Sequence, residues 1–385
     1  MNKLLFAFVL VLLSFKSYGQ VYAFNTYTLD DGLPQTTVED IMQDSRGYLW
    51  VATHGGAARF DGHKFEEFTT SQGLANNNVY DICEDKYGNI WFGTRGGVSV
   101  YTALEVEPKF IHFNKDNGFK SGRANVFLER EGKMLIGTNE GIYSFSYRSF
   151  DSNPFTDTLQ LSLPEAYQTI SNRSVSCMFN DSRDQLWVGT DSGLVVMRNG
   201  AKYYTVNNGI PDNEVLCIKE DLNNNLWVGT GGGVAKFVYS TIGDLISVES
   251  KKRMGFNLQP SRVTDLCFLD DGTMYLSNPN LGVYVPNVED DLGYELVESI
   301  AKGNGLISAG IQKIFLDREG NLWFGGATNG ITMMVGRQFE TYTKEFGLST
   351  NSIRAIVKDD GGNLWFGTSS AISRMGSPGM KKEPY

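Results

Sequence analysis

The chain has 385 residues, of which 43 are glycine and 12 % are aromatic, a composition that suits many short strands joined by tight turns. Its formal net charge is −10 and it contains no basic block, so it lacks the phosphate-neutralising stripe that a nucleic-acid partner requires. The length would allow two or three independent domains, but a repeat that runs along the chain overrides that expectation.

Residues 1–19 have the pattern of a secretory signal peptide. A short basic start at Lys3 precedes an apolar run over residues 4–13, and small residues follow up to Gly19. A membrane anchor, the alternative, needs about 20 apolar residues. No later segment is apolar enough to cross a bilayer. We therefore expect an exported mature chain, periplasmic or secreted, without a membrane span.

A repeated motif organises the rest of the chain. Its eight copies lie 40 to 52 residues apart and are centred on Trp50, Trp91, Leu135, Trp187, Trp227, Tyr275, Trp323 and Trp365. All six tryptophans of the chain occupy this central position. In six copies an Asp precedes it by six residues, where we expect the carboxylate to hydrogen-bond the backbone of a turn. A period of this length is typical of stacked supersecondary units.

Each copy predicts four short strands. The first is apolar and β-branched, the second carries the large central side chain, the third follows a glycine-rich loop, and the fourth is an aromatic-tipped outer strand. One indole buries roughly 150–250 Å², which a single four-stranded sheet cannot cover. Neighbouring sheets must therefore pack side by side. The sequence predicts an all-β fold, a single β-propeller of four-stranded antiparallel blades.

The two ends of the repeat array suggest how the ring closes. Residues 24–28 resemble the outer strand at 339–343, and the eighth copy has three inner strands but no outer one. We therefore expect eight blades over residues 20–375, with the N-terminal strand closing the last blade. The alternative is seven blades followed by the start of a second ring. Residues 376–385 are expected to form a loose C-terminal tail.

Four cysteines fall on the same predicted strand of four different copies: Cys83, Cys177, Cys217 and Cys267. Export raises the question of disulfide bonds. Core packing is the favoured interpretation, because cysteine buries well as a small hydrophobic residue. A bridge would need two Cα atoms within about 7 Å, a separation that only neighbouring copies could approach.

The full motif is Gly-Leu-Pro followed by Val-x-x-Ile-x-x-Asp-x-x-Gly-x-Leu-Trp-x-Gly-Thr-x-x-Gly, and it first appears at residues 32–56. It resembles the two-component regulator propeller repeat. In that family the propellers form the exported sensor region of histidine kinases and hybrid kinase–regulators, so the resemblance implies recognition of a glycan fragment outside the cytoplasm. Family members usually carry more repeats and continue into an immunoglobulin-like domain, a membrane helix and a kinase. We therefore expect a stand-alone sensor-like propeller or a truncated receptor.

Two sets of loops converge at the mouth of a propeller's central channel: those that enter the first strands and those that follow the second strands. Side chains that differ between copies are informative there, because the fold needs no particular residue at these positions. The candidates for ligand binding are His54, Arg95, Asn139, Asp191, Asn280, Asn329, Asn78 and Arg123. This mixture of amide, charged and imidazole groups suits a hydroxyl-rich ligand.

Catalysis is not expected. The recurring Asp residues are present in nearly every copy, which favours a turn role over a pair of catalytic carboxylates. The segment 221–225 lacks the distal bidentate acid of a calcium loop. The three histidines are scattered, so no set of metal ligands is predicted, and His54 is the only candidate for a catalytic histidine. We expect no enzymatic activity, no metal and no cofactor.

The sequence thus predicts an exported ligand-sensing propeller, the sensor module or truncated sensor of a two-component system that recognises a glycan fragment. Its expected partners are an oligosaccharide or other small ligand, and a membrane histidine kinase or another propeller chain. The alternatives are a secreted protein–protein interaction scaffold and, less favoured, a propeller lyase or hydrolase.

Overall fold

The structure is a computed structural model. It describes residues 23–102, 109–117, 119–146, 165–197, 200–240, 245–251, 262–286, 296–301, 306, 308–335, 348–361, 363–369 and 371–375. The predicted signal peptide, the C-terminal tail and the outer strand at 339–343 lie outside these ranges. Within them, no helix has both the length and the hydrophobicity needed to span a bilayer.

The chain divides into two compact units, one of which is Phe24–Val335 and the other Gly336–Tyr385 together with Met1–Ala23. The first unit contains seven antiparallel sheets, one for each of the first seven copies of the motif. Six of them have four strands, and the third has three within the described residues. The predicted four-stranded antiparallel blade is confirmed.

The strands of one blade lie in sequence order from the innermost to the outermost. The innermost strands are β2 (Val38–Gln43), β6 (Val79–Glu84), β10 (Ala124–Arg130), β13 (Val175–Asn180), β17 (Val215–Glu220), β21 (Leu266–Phe268) and β25 (Ile311–Leu316). The second strands are β3 (Leu49–Thr53), β7 (Ile90–Thr94), β11 (Lys133–Thr138), β14 (Leu186–Thr190), β18 (Leu226–Thr230), β22 (Met274–Asn278) and β26 (Leu322–Gly326).

The third strands are β4 (Gly56–Phe60), β8 (Gly97–Tyr101), β12 (Gly141–Ser146), β15 (Gly193–Met197), β19 (Gly233–Tyr239), β23 (Gly282–Pro286) and β27 (Ile331–Met334). The outer strands are β5 (Phe65–Phe68), β9 (Phe110–Phe113), β16 (Ala201–Tyr204), β20 (Leu245–Lys251), β24 (Leu296–Ile300) and, for the seventh blade, β1 (Phe24–Tyr27). Short 3-10 helices lie at Leu29–Asp31, Lys115–Asn117, Glu165–Ile170 and Val206–Asn208.

The first unit is a closed ring. Its innermost strands contact one another in chain order from β2 to β25, and β25 in turn contacts β2. The hydrophobic cluster at this junction joins Trp323 of blade 7 to Val38 and Ile41 of blade 1. Seven blades therefore close upon themselves within residues 24–335, as in a β-propeller.

The N-terminal strand closes the seventh blade, where the favoured prediction put it in the eighth. Phe24 is paired with Met334 and Tyr27 with Ile331, so β1 completes the sheet of β25, β26 and β27. The expected eight-bladed closure is wrong in this respect, and the alternative of seven blades followed by a further copy agrees with the pairing. Every blade offers an outer strand the same kind of edge, so the resemblance between residues 24–28 and 339–343 identified the type of strand but not its sheet.

The eighth copy lies in the second unit. It forms a three-stranded antiparallel sheet of β28 (Ile353–Lys358), β29 (Leu364–Thr368) and β30 (Ile372–Met375). Ile356 on β28 is 60 % exposed. The residue at the same place of the motif is 2 % exposed in blade 1, where it is Ile41, and 4 % exposed in blade 2, where it is Ile82.

The tryptophans anchor the contacts between blades, as predicted. Trp50 is fully buried, and its ring lies 5.6 Å from that of Phe92 on the second strand of the next blade. In blade 2, Trp91 is likewise buried and lies 6.0 Å from Phe127 of blade 3. Each indole thus covers apolar area on the flank of its neighbour, and this burial favours the closed ring.

All four cysteines are free thiols. Cys217 and Cys267 are buried, and Cys83 and Cys177 are half-buried against the core. The interpretation that these residues pack in the core is confirmed. The neighbouring pair for which a bridge was considered, Cys177 and Cys217, is not joined.

Candidate functional site

The innermost strands begin at one end of the ring, which we call the mouth. Near its start each of six innermost strands contains a β-bulge, where one extra residue has no partner in the ladder. A bulge directs the side chain of the extra residue out of the regular alternation. These bulge residues are Glu39, Tyr80, Asn125, Ser176, Leu216 and Gln312. The apolar, β-branched pattern of this strand does not indicate these positions, because a bulge depends on the pairing of two strands.

Two of the predicted site residues meet on a bulge residue. The guanidinium of Arg123, on blade 3, lies 3.7 Å from the ring centroid of Tyr80 on blade 2. The ring of His54, on blade 1, lies 6.1 Å from the same tyrosine, edge to face at 75°. His54 Nε2 is 2.8 Å from Glu39 Oε1. We call Glu39, His54, Tyr80 and Arg123 the mouth cluster; it spans three blades.

The charge of Arg123 is not neutralised by the part of the chain that the structure describes. No described carboxylate lies within 4.0 Å of its guanidinium, and its buried Nε has no hydrogen-bond partner there. The nearby acid Glu39 already faces His54. A buried donor without an acceptor costs about 1–3 kcal/mol, so a ligand oxygen that accepted from it would be stabilised.

A second group of predicted residues is joined through Ser174. Asn125 Nδ2 donates to Asn139 Oδ1 at 3.0 Å, and Ser174 Oγ donates to the same oxygen at 3.1 Å. The amide of Asp191 donates to the Ser174 carbonyl at 3.1 Å. Asn139 and Asp191 are therefore close together, but the side-chain oxygen of Asn139 is already engaged within the fold.

The remaining predicted residues are more dispersed. Arg95 donates its backbone amide to the carbonyl of Asn78 at 3.1 Å, and the Arg95 side chain is exposed. The amide of Asn280 bonds to Asn278 Oδ1 at 2.9 Å, which makes it part of a turn in blade 6. Asn329 lies in the loop between β26 and β27. The structure does not bring these residues into the mouth cluster.

An ion pair that the sequence analysis missed bridges blades 5 and 6 at the mouth. Arg262 contacts both carboxylate oxygens of Glu214, one of them at 2.9 Å. Both residues occupy the place in the motif that Arg123 has in blade 3; Glu214 directly precedes β17, and Arg262 lies four residues before β21. The signal available in the sequence was the variation of this position between copies, the same criterion that selected Arg123 and Asn78.

Charge is distributed unevenly over the loops of the mouth. The loops of blades 2 and 3 carry Arg95, Lys115, Lys120 and Arg123 against Asp116 and Glu140, whereas those of blades 4 and 5 carry Asp191, Asp212 and Glu214 against Arg173. A ligand at the mouth therefore meets basic groups on one side and acidic groups on the other. Such asymmetry orients a polar ligand.

The interior of the channel holds a second cluster of charges, which we call the channel cluster: Asp40, Asp81, Asp265 and Lys313. Lys313 Nζ lies 2.9 Å from Asp40 Oδ1 and 3.7 Å from Asp265 Oδ2. Burial, together with the charge of Asp40, raises the pKa of Asp81 well above its usual value. Burial alone would lower the pKa of Lys313, but Asp265 and Asp40 raise it well above its usual value.

The acids of the channel cluster join successive blades. Asp40 accepts from the amide of Ile82, Asp81 from that of Phe127, and Asp265 from that of Ile314, at 3.1, 2.7 and 3.1 Å. In each case the acceptor belongs to one blade and the donor to the innermost strand of the next. We assign these acids a structural role, because their oxygens are committed to the ring itself.

A cleft of about 250 Å³ lies at the opposite end of the ring, where blade 7 meets blade 1. Tyr27, Phe60 and Trp323 line its apolar part. Its polar side chains bond to one another, for example Gln43 Nε2 to Glu319 Oε2 at 2.9 Å. The cleft is a second candidate, but its polar groups are already satisfied within the fold. Among the described residues, no group of three His, Cys, Asp or Glu side chains could hold a metal ion.

Comparison with known proteins places the repeats in a family. Five segments match the family described as two component regulator propeller: residues 32–55, 73–96, 169–192, 209–232 and 347–370. The chain carries two-component regulator propeller repeats. It also matches histidine kinase P4 of Formosa agariphila, with 43 % identity over 63 residues, which is 16 % of this chain and 4 % of the kinase.

Solved structures share the propeller fold. The extracellular domains of the hybrid two-component systems BT3049 and BT4673 of B. thetaiotaomicron are each 20 % identical to this chain, with TM-scores of 0.61 and 0.59. Each alignment covers 94 % of this chain and 54 % or 47 % of the neighbour, so the chain spans about half of these domains. Virginiamycin B lyase from Staphylococcus aureus is 14 % identical, with a TM-score of 0.58 and coverage of 82 % and 100 %. At these identities the likeness concerns the fold alone.

Proposed function

We propose that this two-component regulator propeller is an exported, non-enzymatic binding module that senses a ligand for a two-component signalling system. The observation that carries this proposal is the mouth cluster. Three blades contribute unlike side chains, His54, Tyr80 and Arg123, to one place that the repeat does not need for folding. A concave site with an aromatic ring and a few convergent polar groups is typical of ligand recognition.

The proposed ligand is a glycan fragment. Sugars offer many hydroxyl groups that donate and accept, and the mouth provides both acceptors and donors. The proposed contacts are His54 and Arg123 of the mouth cluster, together with Arg95, Asn139, Asp191, Asn280, Asn329 and Asn78. Because Asn139 Oδ1 and Asn280 N already bond within the fold, we expect His54, Arg95 and Arg123 to contribute most.

The proposed partners follow from the family of the repeats. A membrane histidine kinase, or another propeller chain, would receive the signal, in line with the matched segment of histidine kinase P4. The proposed location is the periplasm or the cell exterior. It is supported by the signal-peptide pattern of residues 1–19 and by the extracellular domains that share the fold.

A thermal-shift screen against an oligosaccharide panel tests the proposal, because a ligand that binds only the folded state raises its apparent stability by mass action. We expect at least one saturable shift, weakened by His54→Ala and by Arg95→Ala. Leu222→Ala is the control, since Leu222 is an exposed residue in a hairpin turn away from the mouth. Hits that keep their affinity in both mouth variants would contradict the site.

The same assay distinguishes the two alternatives. A lyase or hydrolase would convert the bound saccharide, so an unchanged mass of the ligand after incubation supports a binding protein. A protein-interaction scaffold would give no saturable shift with any saccharide. The exposed apolar side chains of the eighth copy, Ile356, Val357 and Ile372, are the observation that favours a scaffold. Binding of a purified kinase ectodomain that is abolished by Ile356→Lys would support it.

A further inference from the structure

Arg123 is held in a fixed orientation without a described counter-ion. Its guanidinium lies 3.7 Å from the centroid of the Tyr80 ring, so one face of the group is covered. A guanidinium that stacks through its face keeps its in-plane N–H groups available, and these match the oxygens of a carboxylate or a sulfate. Its buried Nε has no hydrogen-bond partner among the described residues.

Arg183 provides an internal comparison. Its guanidinium also lies 3.7 Å from an aromatic centroid, that of Tyr239, and its Nε is likewise buried without a described partner. Arg183, however, lies 3.3 Å from Asp181 Oδ2 and 3.2 Å from Glu220 Oε1. The same stacking geometry therefore occurs twice, once with the charge neutralised inside the fold and once, at the mouth, without a described carboxylate within reach.

The surroundings of Arg123 are basic. The segment that enters its strand carries Lys115 and Lys120 against one acid, Asp116, and the nearby loops carry Arg95 of blade 2 and Glu140 of blade 3, so basic groups outnumber acids. Glu39, the acid of the mouth cluster, is 2.8 Å from His54 Nε2 and thus already has a partner. The acids Asp212 and Glu214 belong to blade 5, two blades further along the ring from Arg123. A negative group is therefore favoured at blades 2 and 3.

We propose that Arg123 and Tyr80 form an anion-binding subsite, so that this propeller recognises a saccharide bearing an oxyanion, either a carboxylate or a sulfate ester. This inference rests on the proposed ligand-binding function and adds the chemical class of the ligand. The oxyanion accepts hydrogen bonds from the in-plane N–H groups of Arg123, including the donor that is otherwise unpaired. The sugar hydroxyls then face the polar groups of the neighbouring loops.

Matched sugars test the subsite on the full chain. We would measure binding of glucose, galactose and mannose by thermal shift and calorimetry, each as the neutral sugar, the uronic acid and the 6-sulfate. For at least one ring configuration we expect an acidic member to bind about 10- to 100-fold more tightly than its neutral counterpart. A preference for the uronic acid identifies a carboxylate, and a preference for the 6-sulfate identifies a sulfate ester. The preference should fall as ionic strength rises.

Variants of Arg123 test whether this residue causes the preference for acidic over neutral sugars. Arg123→Gln should remove the discrimination between acidic and neutral members, and Arg123→Lys should retain part of it, because an ammonium keeps the charge but not the planar fork. Lys86→Gln, in a hairpin turn at the other end of the ring, is the control and should retain all of it.

The outcomes separate this inference from the proposed function. Neutral sugars that bind the wild type as tightly as acidic ones would overturn the anion subsite and leave the proposed function standing. Full discrimination in folded Arg123→Gln would overturn the role of Arg123. If neither neutral nor acidic saccharides bind, including the oligosaccharide panel, both proposals fail. The comparison on the wild type remains decisive even if Arg123→Gln does not fold.

Discussion

The indole nitrogen of Trp50 donates a 2.9 Å hydrogen bond to the carboxylate of Asp44, six residues earlier in the chain. The same bond, between 2.8 and 2.9 Å long, occurs in copies 2, 4, 5, 7 and 8. In the two copies without tryptophan, at Leu135 and Tyr275, no Asp stands six residues earlier. The Asp and the Trp are thus present or absent together, which makes them one structural unit.

The other oxygen of each Asp holds the hairpin turn. Asp44 Oδ1 accepts from the amides of Arg46 and Tyr48 at 3.0 and 2.9 Å, as the sequence analysis predicted for this position. One carboxylate therefore satisfies the backbone of the turn and the only polar atom of a buried indole. An indole without this acceptor would leave a buried N–H unpaired.

Asp44→Ala should lower the free energy of unfolding by about 2–4 kcal/mol, because it leaves the indole N–H and the turn amides without an acceptor. Chemical denaturation followed by tryptophan fluorescence measures the change. Asp61→Ala is a matched control: Asp61 accepts from the amides of His63 and Lys64 but is exposed and binds no indole. The control should lose clearly less, because substitutions at exposed sites usually change stability little. Equal losses in the two variants would show that the indole bond contributes nothing.

Tyr27→Ala should destabilise the ring by about 2–4 kcal/mol. The Tyr27 ring lies 5.1 Å from Phe60 and 5.9 Å from Trp323, so it joins the strand that closes blade 7 to blade 1. The measurement is the thermal midpoint of unfolding. Ile372→Ala on β30 is the control and should change it little, since Ile372 is 60 % exposed. If Ile372→Ala lowered the thermal midpoint more than Tyr27→Ala does, this result would favour closure of the ring on the eighth copy.

Lys313→Met should destabilise the ring by about 3–5 kcal/mol, because it leaves the buried carboxylates of Asp40 and Asp265 without their cation. Adding Asp40→Asn to Lys313→Met should recover part of the loss. A double-mutant cycle by chemical denaturation measures this coupling. If the changes in the free energy of unfolding caused by the two substitutions were strictly additive, the Lys313–Asp40 contact would contribute nothing to stability.

Asp81 should make the stability depend on pH. Since its pKa is raised in the folded state, that state holds the proton more tightly than the unfolded chain does. The resulting stabilisation is complete below the unfolded pKa of about 3.9 and is lost as the pH rises through the folded value. Asp81→Asn, which keeps an acceptor for the Phe127 amide, should therefore stabilise the protein more at pH 8 than at pH 5.

Thermal midpoints of both proteins across this range test the Asp81 prediction. The groups that face this carboxyl are Asp40, Lys313 and the Phe127 amide. Asp116→Asn, at an exposed site, is the control and should give a difference from wild type that does not vary with pH. If the difference in thermal midpoint between Asp81→Asn and the wild type also did not vary with pH, Asp81 would have the same pKa in the folded and unfolded states.

The thiols should be inert in the folded protein. Burial raises the pKa of Cys177 to about 12 and that of Cys267 to about 11, and it raises the pKa of Cys83 and Cys217 as well. A thiol in this state has almost no reactive thiolate at pH 8. We expect no reaction with a thiol reagent before unfolding and four equivalents in denaturant without reductant. Two equivalents would reveal a disulfide bond.

The sequence alone determined the propeller, the four-stranded blade and the role of the turn Asp, because these depend on local patterns that recur in every copy. It also selected His54 and Arg123, since variation within a repeat marks positions that folding leaves free. It did not reveal Tyr80 or Glu39, because a β-bulge depends on the pairing of two strands and not on the residues of one.

Only the tertiary structure decided where the ring closes. Every blade exposes a similar third-strand edge, so the outer-strand pattern of residues 24–28 is compatible with any of them. The pairing of Phe24 with Met334 follows from the packing of blade 7 on blade 1, where Tyr27 meets Trp323 and Phe60. Contacts between residues some 300 positions apart have no signature in a local pattern, and they determine the number of blades in the ring.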